Sequence, residues 1–330
     1  MQKSLKEKRN KNIMIDVIIP AYNAHDTIER TLASIAYQQN IDQIKVYIVN
    51  DASYKDYSKE ISFFEKFMNI EEIMLTENGG PGVARQSGID NSNSEYIVFI
   101  DSDDVFSSPY SLIRLYNSIE ETNADVVISS FYETLNDGTK KEYKEDTIWV
   151  HGKIYRREFL QNNNIRFNDT RANEDNGFNQ VVLLHSPKVE YIDDFTYFWI
   201  YNENSITRSN NYSYRFDGLE GYIYNMTWAL KTAINDKCEY ELIATQAFLT
   251  LIAIYYYYIE FLNEKNVERL IKKSVGLYEI YLDYPLEEDV KMQIWENQYI
   301  ESTENMDTKD KLNPPISFEN FLKKIENSTI

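Results

Sequence analysis

The chain has 330 residues, 43% of them hydrophobic, with a formal net charge of −19. That length allows one large domain or two moderate ones with a real core. The charge argues against a nucleic-acid surface, where phosphate contacts dominate affinity, and a single cysteine, Cys238, excludes an intramolecular disulfide and fits a reducing compartment such as the cytoplasm.

Residues 1–13 read as a flexible basic tail, since MQKSLKEKRNKN lacks the apolar core of a signal peptide. Weak attraction to anionic lipid is a second reading of the tail. Ile15–Ile19 is a strand, and Ile28, Leu32, Ile35 and Ala36 recur at helical spacing after it, with Asp26 or Thr27 able to cap. Lys45–Val49 is the second strand, and Ile61, Phe64, Phe67 and Met68 mark the next helix. A third strand near Glu72–Leu75 leads through Asn78-Gly-Gly-Pro-Gly to a helix through Val83, Ala84 and Ser87. The strand Tyr96–Ile100, a helix near Leu112–Ile119 and the strand Asp125–Phe131 follow. This alternation predicts an α/β fold, a mostly parallel sheet flanked by helices.

From about residue 133 the pattern changes. Asn136-Asp-Gly138 signals a hairpin, Trp149 to Arg157 reads as the entry to a new helix, and Tyr191–Ile200 is a strand. Beyond about Phe216 the chain reads as helical, to a break at Asn313-Pro-Pro315 and one last short helix. Leu242 to Ile259 carries no formal charge and touches the length of a membrane span. Polar Thr245, Gln246 and Thr250 and the acidic flanks Glu239, Glu241 and Glu260 favour a buried or groove-lining helix instead.

Chemistry concentrates where Tyr96–Ile100 runs into Asp101, Ser102, Asp103 and Asp104. Three crowded carboxylates at a buried strand end raise at least one pKa unless a cation sits among them. Oxygen ligands of this kind suit Mg2+ or Mn2+, with substrate phosphates completing the shell. The plainer alternative is a solvated acidic turn capping the next helix.

Four segments resemble, in order and spacing, the signatures of family-2 glycosyltransferases: Ile18-Ile-Pro-Ala-Tyr-Asn23, Val49-Asn-Asp-Ala-Ser53, Asn78-Gly-Gly-Pro-Gly-Val-Ala-Arg85 and Asp101-Ser-Asp-Asp104. The pattern is most similar to bacterial cell-surface polysaccharide glycosyltransferases. The resemblance implies a GT-A, Rossmann-like domain over residues 14–215, with a nucleotide-sugar half to about 132 and an acceptor half after it. Residues 216–330 would be a helical extension for acceptor binding or oligomerisation. It also implies a metal-dependent, inverting hexosyl- or N-acetylhexosaminyl-transferase that uses a nucleoside diphosphate sugar, most simply UDP-linked, and Mn2+ or Mg2+.

By the same resemblance, Pro20, Tyr22, Asn23, Asp51, Asn78, Gly79, Arg85, Asp101, Ser102, Lys153 and Arg208 bind the nucleotide sugar. Asp103 ligates the metal, with Asp101 sharing it or supporting the ribose, and Asp104 orients them. Asn173-Glu-Asp-Asn176 resembles the family's Glu-Asp signature, making Asp175 the general base and Glu174 its neighbour. This chain has Asp51-Ala52-Ser53 where the family usually has Asp-Gly-Ser. His151-Gly-Lys-Ile-Tyr-Arg156 resembles a segment preceding the acceptor site, where Lys153 and Arg156 contact substrate or tie subdomains together. His185 reads as packed or capping rather than ligating.

The acceptor stays open among glycan, polymer and lipid-linked classes. A peripheral site at the inner membrane face and homo-oligomers through the C-terminal helices also remain open. Two competing functions are a nucleotidyltransferase on a similar sheet and a non-catalytic nucleotide-sugar-binding scaffold. The first would want a more basic glycine loop, and the second is disfavoured because every acidic motif is present.

Overall fold

The structure is a computed structural model, and it describes residues 14–203, 211–264, 266–303 and 314–328. The basic tail lies outside the described residues. Two compact units partition the chain, Met1–Asn211 and Tyr212–Ile330.

The first unit opens with β1 (Ile15–Ala21), every residue of which is buried, and α1 (Ile28–Ala36). β2 (Ile44–Asn50), α2 (Ser58–Phe64), β3 (Asn69–Met74), α3 (Pro81–Asn91) and β4 (Tyr96–Phe99) continue the alternation. β1 pairs in parallel with β2 and with β4, and β2 with β3. Apolar runs such as Val-Ile-Ile in β1 and Tyr-Ile-Val-Phe in β4 suit strands covered on both faces. The lone carboxylate in β1, Asp16, is buried but accepts hydrogen bonds from the Ser92 and Ser94 hydroxyls and from two backbone N–H groups.

After β4 come β5 (Val105–Phe106), α4 (Ser111–Thr122), β6 (Val126–Thr134) and β7 (Lys140–Tyr143). β6 and β7 make the hairpin expected at Asn136-Asp-Gly138, with Gly138 at φ 81°. Then follow β8 (Lys153–Arg156), α5 (Arg157–Asn162), α6 (Glu174–Leu184) and β9 (Val189–Trp199). Among the described residues nine strands form one sheet in the order β3-β2-β1-β4-β8-β6-β9-β5, with β7 on β6.

The reading of Trp149 to Arg157 as entry to a helix is corrected here. Lys153–Arg156 is a strand, antiparallel to both β4 and β6, and the helix starts only at Arg157. Ile154 and Tyr155 are fully buried between two core strands, and a four-residue run is too short for periodicity to separate strand from helix. Gly152 turns the chain into this strand at φ 63°, a region where a side chain would be strained. β8 makes the sheet mixed: parallel from β3 to β4, antiparallel on either side of β8, and parallel again between β6 and β9.

The second unit is helical among its described residues: α7 (Asn211–Asn235), α8 (Tyr240–Glu260), α9 (Glu268–Lys273), α10 (Val275–Asp283), α11 (Glu288–Thr303) and α12 (Phe318–Glu326). α8 is long and apolar enough to cross a membrane, but 56% of its apolar window is buried inside the protein. Its Ile243, Ala247, Leu251, Ile254 and Tyr258 recur on one face and are all buried. Thr250 donates to the Gln246 carbonyl at 2.7 Å, so its polar hydroxyl is satisfied within the helix.

Candidate active site

The ends of β1, β2 and β4 bring the first, second and fourth motifs to one edge of the sheet. Beyond β1, Tyr22 is 55% exposed, and Asn23 sits at φ 52° with its N–H donating to Ser53 Oγ (2.9 Å). Asn23 Oδ1 accepts from the Tyr54 N–H at 3.0 Å, so the loops after β1 and β2 are laced together. Asp51 is buried after β2. Its carboxylate accepts from Asn78 Nδ2 (3.0 Å), the Gly79 N–H (2.7 Å) and the Gly80 N–H (2.8 Å). Asp51 therefore shapes the glycine loop directly. Arg171 clamps the same loop from outside, donating to Asn78 Oδ1 (2.5 Å) and to the Asn78 carbonyl (2.6 Å).

At the centre lies Arg85, one turn into α3 and fully buried. Its guanidinium bridges Asp101 Oδ1 and Glu174 Oε1, both at 2.7 Å. Asp101 and Glu174, far apart in sequence, are thus joined by one cation that itself lies 89 positions before Glu174. Burial opposes the Arg85 charge, but Asp101, Glu174 and Asp175 together hold its pKa above the ordinary value. Burial alone would raise the Asp101 carboxyl. Arg85 and His151 nevertheless hold it below the usual carboxylate range.

The other carboxylates behave differently. Asp104 is pushed well up by burial and then by Asp103 and Asp101, although Tyr197 OH donates to its Oδ2 (2.6 Å) and the Ile200 N–H to its Oδ1 (2.7 Å). Asp103 is raised mainly by burial, and Asn202 Nδ2 donates to its carboxylate at 2.8 Å. Ser102 is half-buried in the turn between them. Asp175 opens α6 beside Glu174, and burial, followed by the Glu174 charge, pushes its carboxyl up to about 8.

Of the two roles expected for Lys153 and Arg156, substrate contact or an internal tie, the side chains make internal ties. Lys153 is 1% exposed; its Nζ donates to the Trp149 carbonyl and lies 3.6 Å from Asp146, and burial lowers it to about 8. Arg156 donates to the Ala124 carbonyl (3.1 Å) and Glu95 (3.2 Å), at the end of β4 remote from Asp101. Both side chains tie internal elements together. Pro20 and Ala21 close β1, and Arg208 lies outside the described residues. His185 contacts the Val181 carbonyl through Nδ1 (2.8 Å), in keeping with a packed or capping residue.

Sequence reasoning gave no role to His151, Arg171 or Tyr197. His151 is 3% exposed, stacked on the Tyr197 ring with centroids 4.7 Å apart, and its Nε2 is 3.5 Å from Asp101 Oδ2. Asp101, Asp104 and His151 each offer one ligand atom within 4.8 Å of the others. His151 opens the family-like segment His151–Arg156, but nothing in that segment signals that its ring faces an acidic motif some 50 residues earlier.

Residues 16–173 match the sequence model of Glycosyl transferase family 2. "Uncharacterized glycosyltransferase EpsJ" of Bacillus subtilis (strain 168) is 30% identical over 220 residues, 59% of this chain and 63% of that protein. "Poly(ribitol-phosphate) beta-glucosyltransferase" of Bacillus spizizenii is 29% identical over 56% of this chain and 32% of its own length. The chain thus spans less than two thirds of these relatives. The crystal structure of S. aureus TarS 1-349 in complex with UDP-GlcNAc superposes with TM-score 0.71 at 18% identity, covering 96% of this chain and 91% of that one.

Proposed function

We propose, from the match of residues 16–173 to the Glycosyl transferase family 2 model, that the protein is a metal-dependent, inverting glycosyltransferase. It moves a sugar, hexosyl or N-acetylhexosaminyl, from a UDP-linked donor to a hydroxyl of a glycan or polyol-phosphate polymer. The observation that carries this reading is the Arg85 bridge. One buried cation holds Asp101, on the donor side, and Glu174, beside Asp175, both at 2.7 Å.

Each group then has work to do. Tyr22, Asn23, Asp51, Asn78 and Gly79 frame the nucleoside, with the Asp51 bonds keeping the glycine loop in place. The diphosphate lies at the acidic strand end. Three carboxylates converge there, and Arg85 is their one ion-paired lysine or arginine among the described residues, so the donor set fits a divalent cation. Held by Asp101–Asp104, Mn2+ or Mg2+ would offset the charge of the departing nucleoside diphosphate.

Asp175 takes the proton from the acceptor hydroxyl as its oxygen attacks the anomeric carbon from the face opposite the leaving group. Glu174, fixed on Arg85, holds the start of α6 in register. The helical unit is assigned to acceptor binding or self-association. The donor points to the cytoplasmic compartment, with a polymer acceptor favoured because relatives act on poly(ribitol phosphate) by name.

The test is Asp175→Asn with UDP-sugar donors. Donor affinity is expected to stay within about twofold while transfer falls roughly 10²–10⁴-fold. Transfer at the wild-type rate in this variant removes Asp175 as base.

A further inference from the structure

We propose that His151 supplies a ring nitrogen to the divalent cation of this site, alongside oxygens of Asp101 and Asp104, and so biases the site toward Mn2+ or Co2+ over Mg2+. The inference rests on the metal-dependent reading above and adds a ligand of a different chemical kind.

The imidazole is held where such a ligand must be. The turn at Gly152 delivers His151 to the sheet just before β8, and the ring is 3% exposed. Tyr197 stacks on one face at 4.7 Å, Phe131 meets it edge-on at 5.4 Å, and the Trp199 indole lies 5.3 Å away. A ring confined on several sides has little rotamer freedom left to lose on binding an ion. Its Nδ1 is buried without a hydrogen-bond partner, and its Nε2 faces Asp101 Oδ2 at 3.5 Å.

The carboxylates leave room for the ion. Arg85 takes Asp101 Oδ1, so Oδ2, the atom facing His151, is the one left over. Each Asp104 oxygen accepts one bond, from Tyr197 OH or the Ile200 N–H, and retains a second lone pair. Tyr197 therefore fixes both partners at once, stacking on His151 and donating to Asp104. The three ligand atoms lie within 4.8 Å of one another, a span that an ion with bonds of about 2.1 Å closes by drawing them in by a few tenths of an ångström. The Asp103 carboxylate, the leading ligand from the sequence, is bonded to Asn202 and stands outside this trio. Imidazole is a poor ligand for Mg2+ and a good one for later divalent ions.

The test is pulsed electron paramagnetic resonance of untagged full-length protein with Mn2+ alone and with Mn2+ plus UDP. The expected result is nitrogen modulation from a coordinated imidazole in the wild type, absent in His151→Phe, which keeps a ring on Tyr197. Mn2+-over-Mg2+ preference should also drop by about tenfold or more in that variant. Bound Mn2+ without imidazole modulation in the wild type overturns the proposal but leaves the metal reading standing. No bound Mn2+ in either condition overturns the site itself, and transfer assayed in EDTA then decides whether the glycosyltransferase reading survives without a metal. If His151→Phe fails to fold, His151→Gln serves as the variant, and His25→Gln and His185→Gln must leave the wild-type modulation intact.

Discussion

Two neighbouring carboxylates at the start of α6 meet opposite fates. Glu174 gives an oxygen to Arg85 at 2.7 Å, whereas Asp175 has no ion pair among the described residues and is pushed up to about 8 by burial and by Glu174. Protonated Asp175 cannot act as a base. The pH profile of kcat/KM is therefore expected to rise about tenfold per unit below about 8 and to level above it. An unchanged rate down to pH 6 would contradict the assignment. Stability has the opposite sign: the folded state keeps this proton while the unfolded chain loses it near the ordinary carboxylate range. The Asp175 contribution therefore falls as pH rises from there to about 8. Residue identities at the motifs were legible because their chemistry is local. Ala52 illustrates the limit: it occupies φ 56° where the family's glycine would be at ease, a strain visible only once the turn is built.

At the scale of elements, the alternation of apolar strands and amphipathic helices named β1 to β4, α1, α3 and α4 correctly. Their runs are long enough to show a period or bounded by clear turns. β8 escaped because Lys-Ile-Tyr-Arg is four residues long, and its partners β4 and β6 end 54 and 19 residues before it begins. The crossing of α3 on β1 rests on one small residue. A Cβ at Gly88 would lie 2.4 Å from Ile18 Cγ2, so Gly88→Ala must push the helix off the sheet. We expect a loss of about 1–3 kcal/mol in denaturant unfolding, with a weaker donor affinity because Arg85 rides on the same helix. An unaltered midpoint would show that the helix yields without cost.

At the scale of the molecule, two units with separate cores divide the chain, and every residue assigned to chemistry belongs to Met1–Asn211. UDP with Mn2+ at about 100 times its dissociation constant should stabilise that unit by about 2.7 kcal/mol. Calorimetry with and without EDTA checks this, and an unmoved transition would remove the nucleotide site. By itself the sequence determined the α/β class, the helical C-terminal extension, and the acidic and glycine motifs, because periodicity and local chemistry are written along the chain. Only the tertiary structure decided that Arg85 joins Asp101 to Glu174, that Lys153 is buried on Asp146, and that His151 faces Asp101. Those contacts depend on which strands lie side by side, and β8, which begins two residues after His151 and opens with Lys153, is placed by burial between β4 and β6 rather than by any pattern of its own.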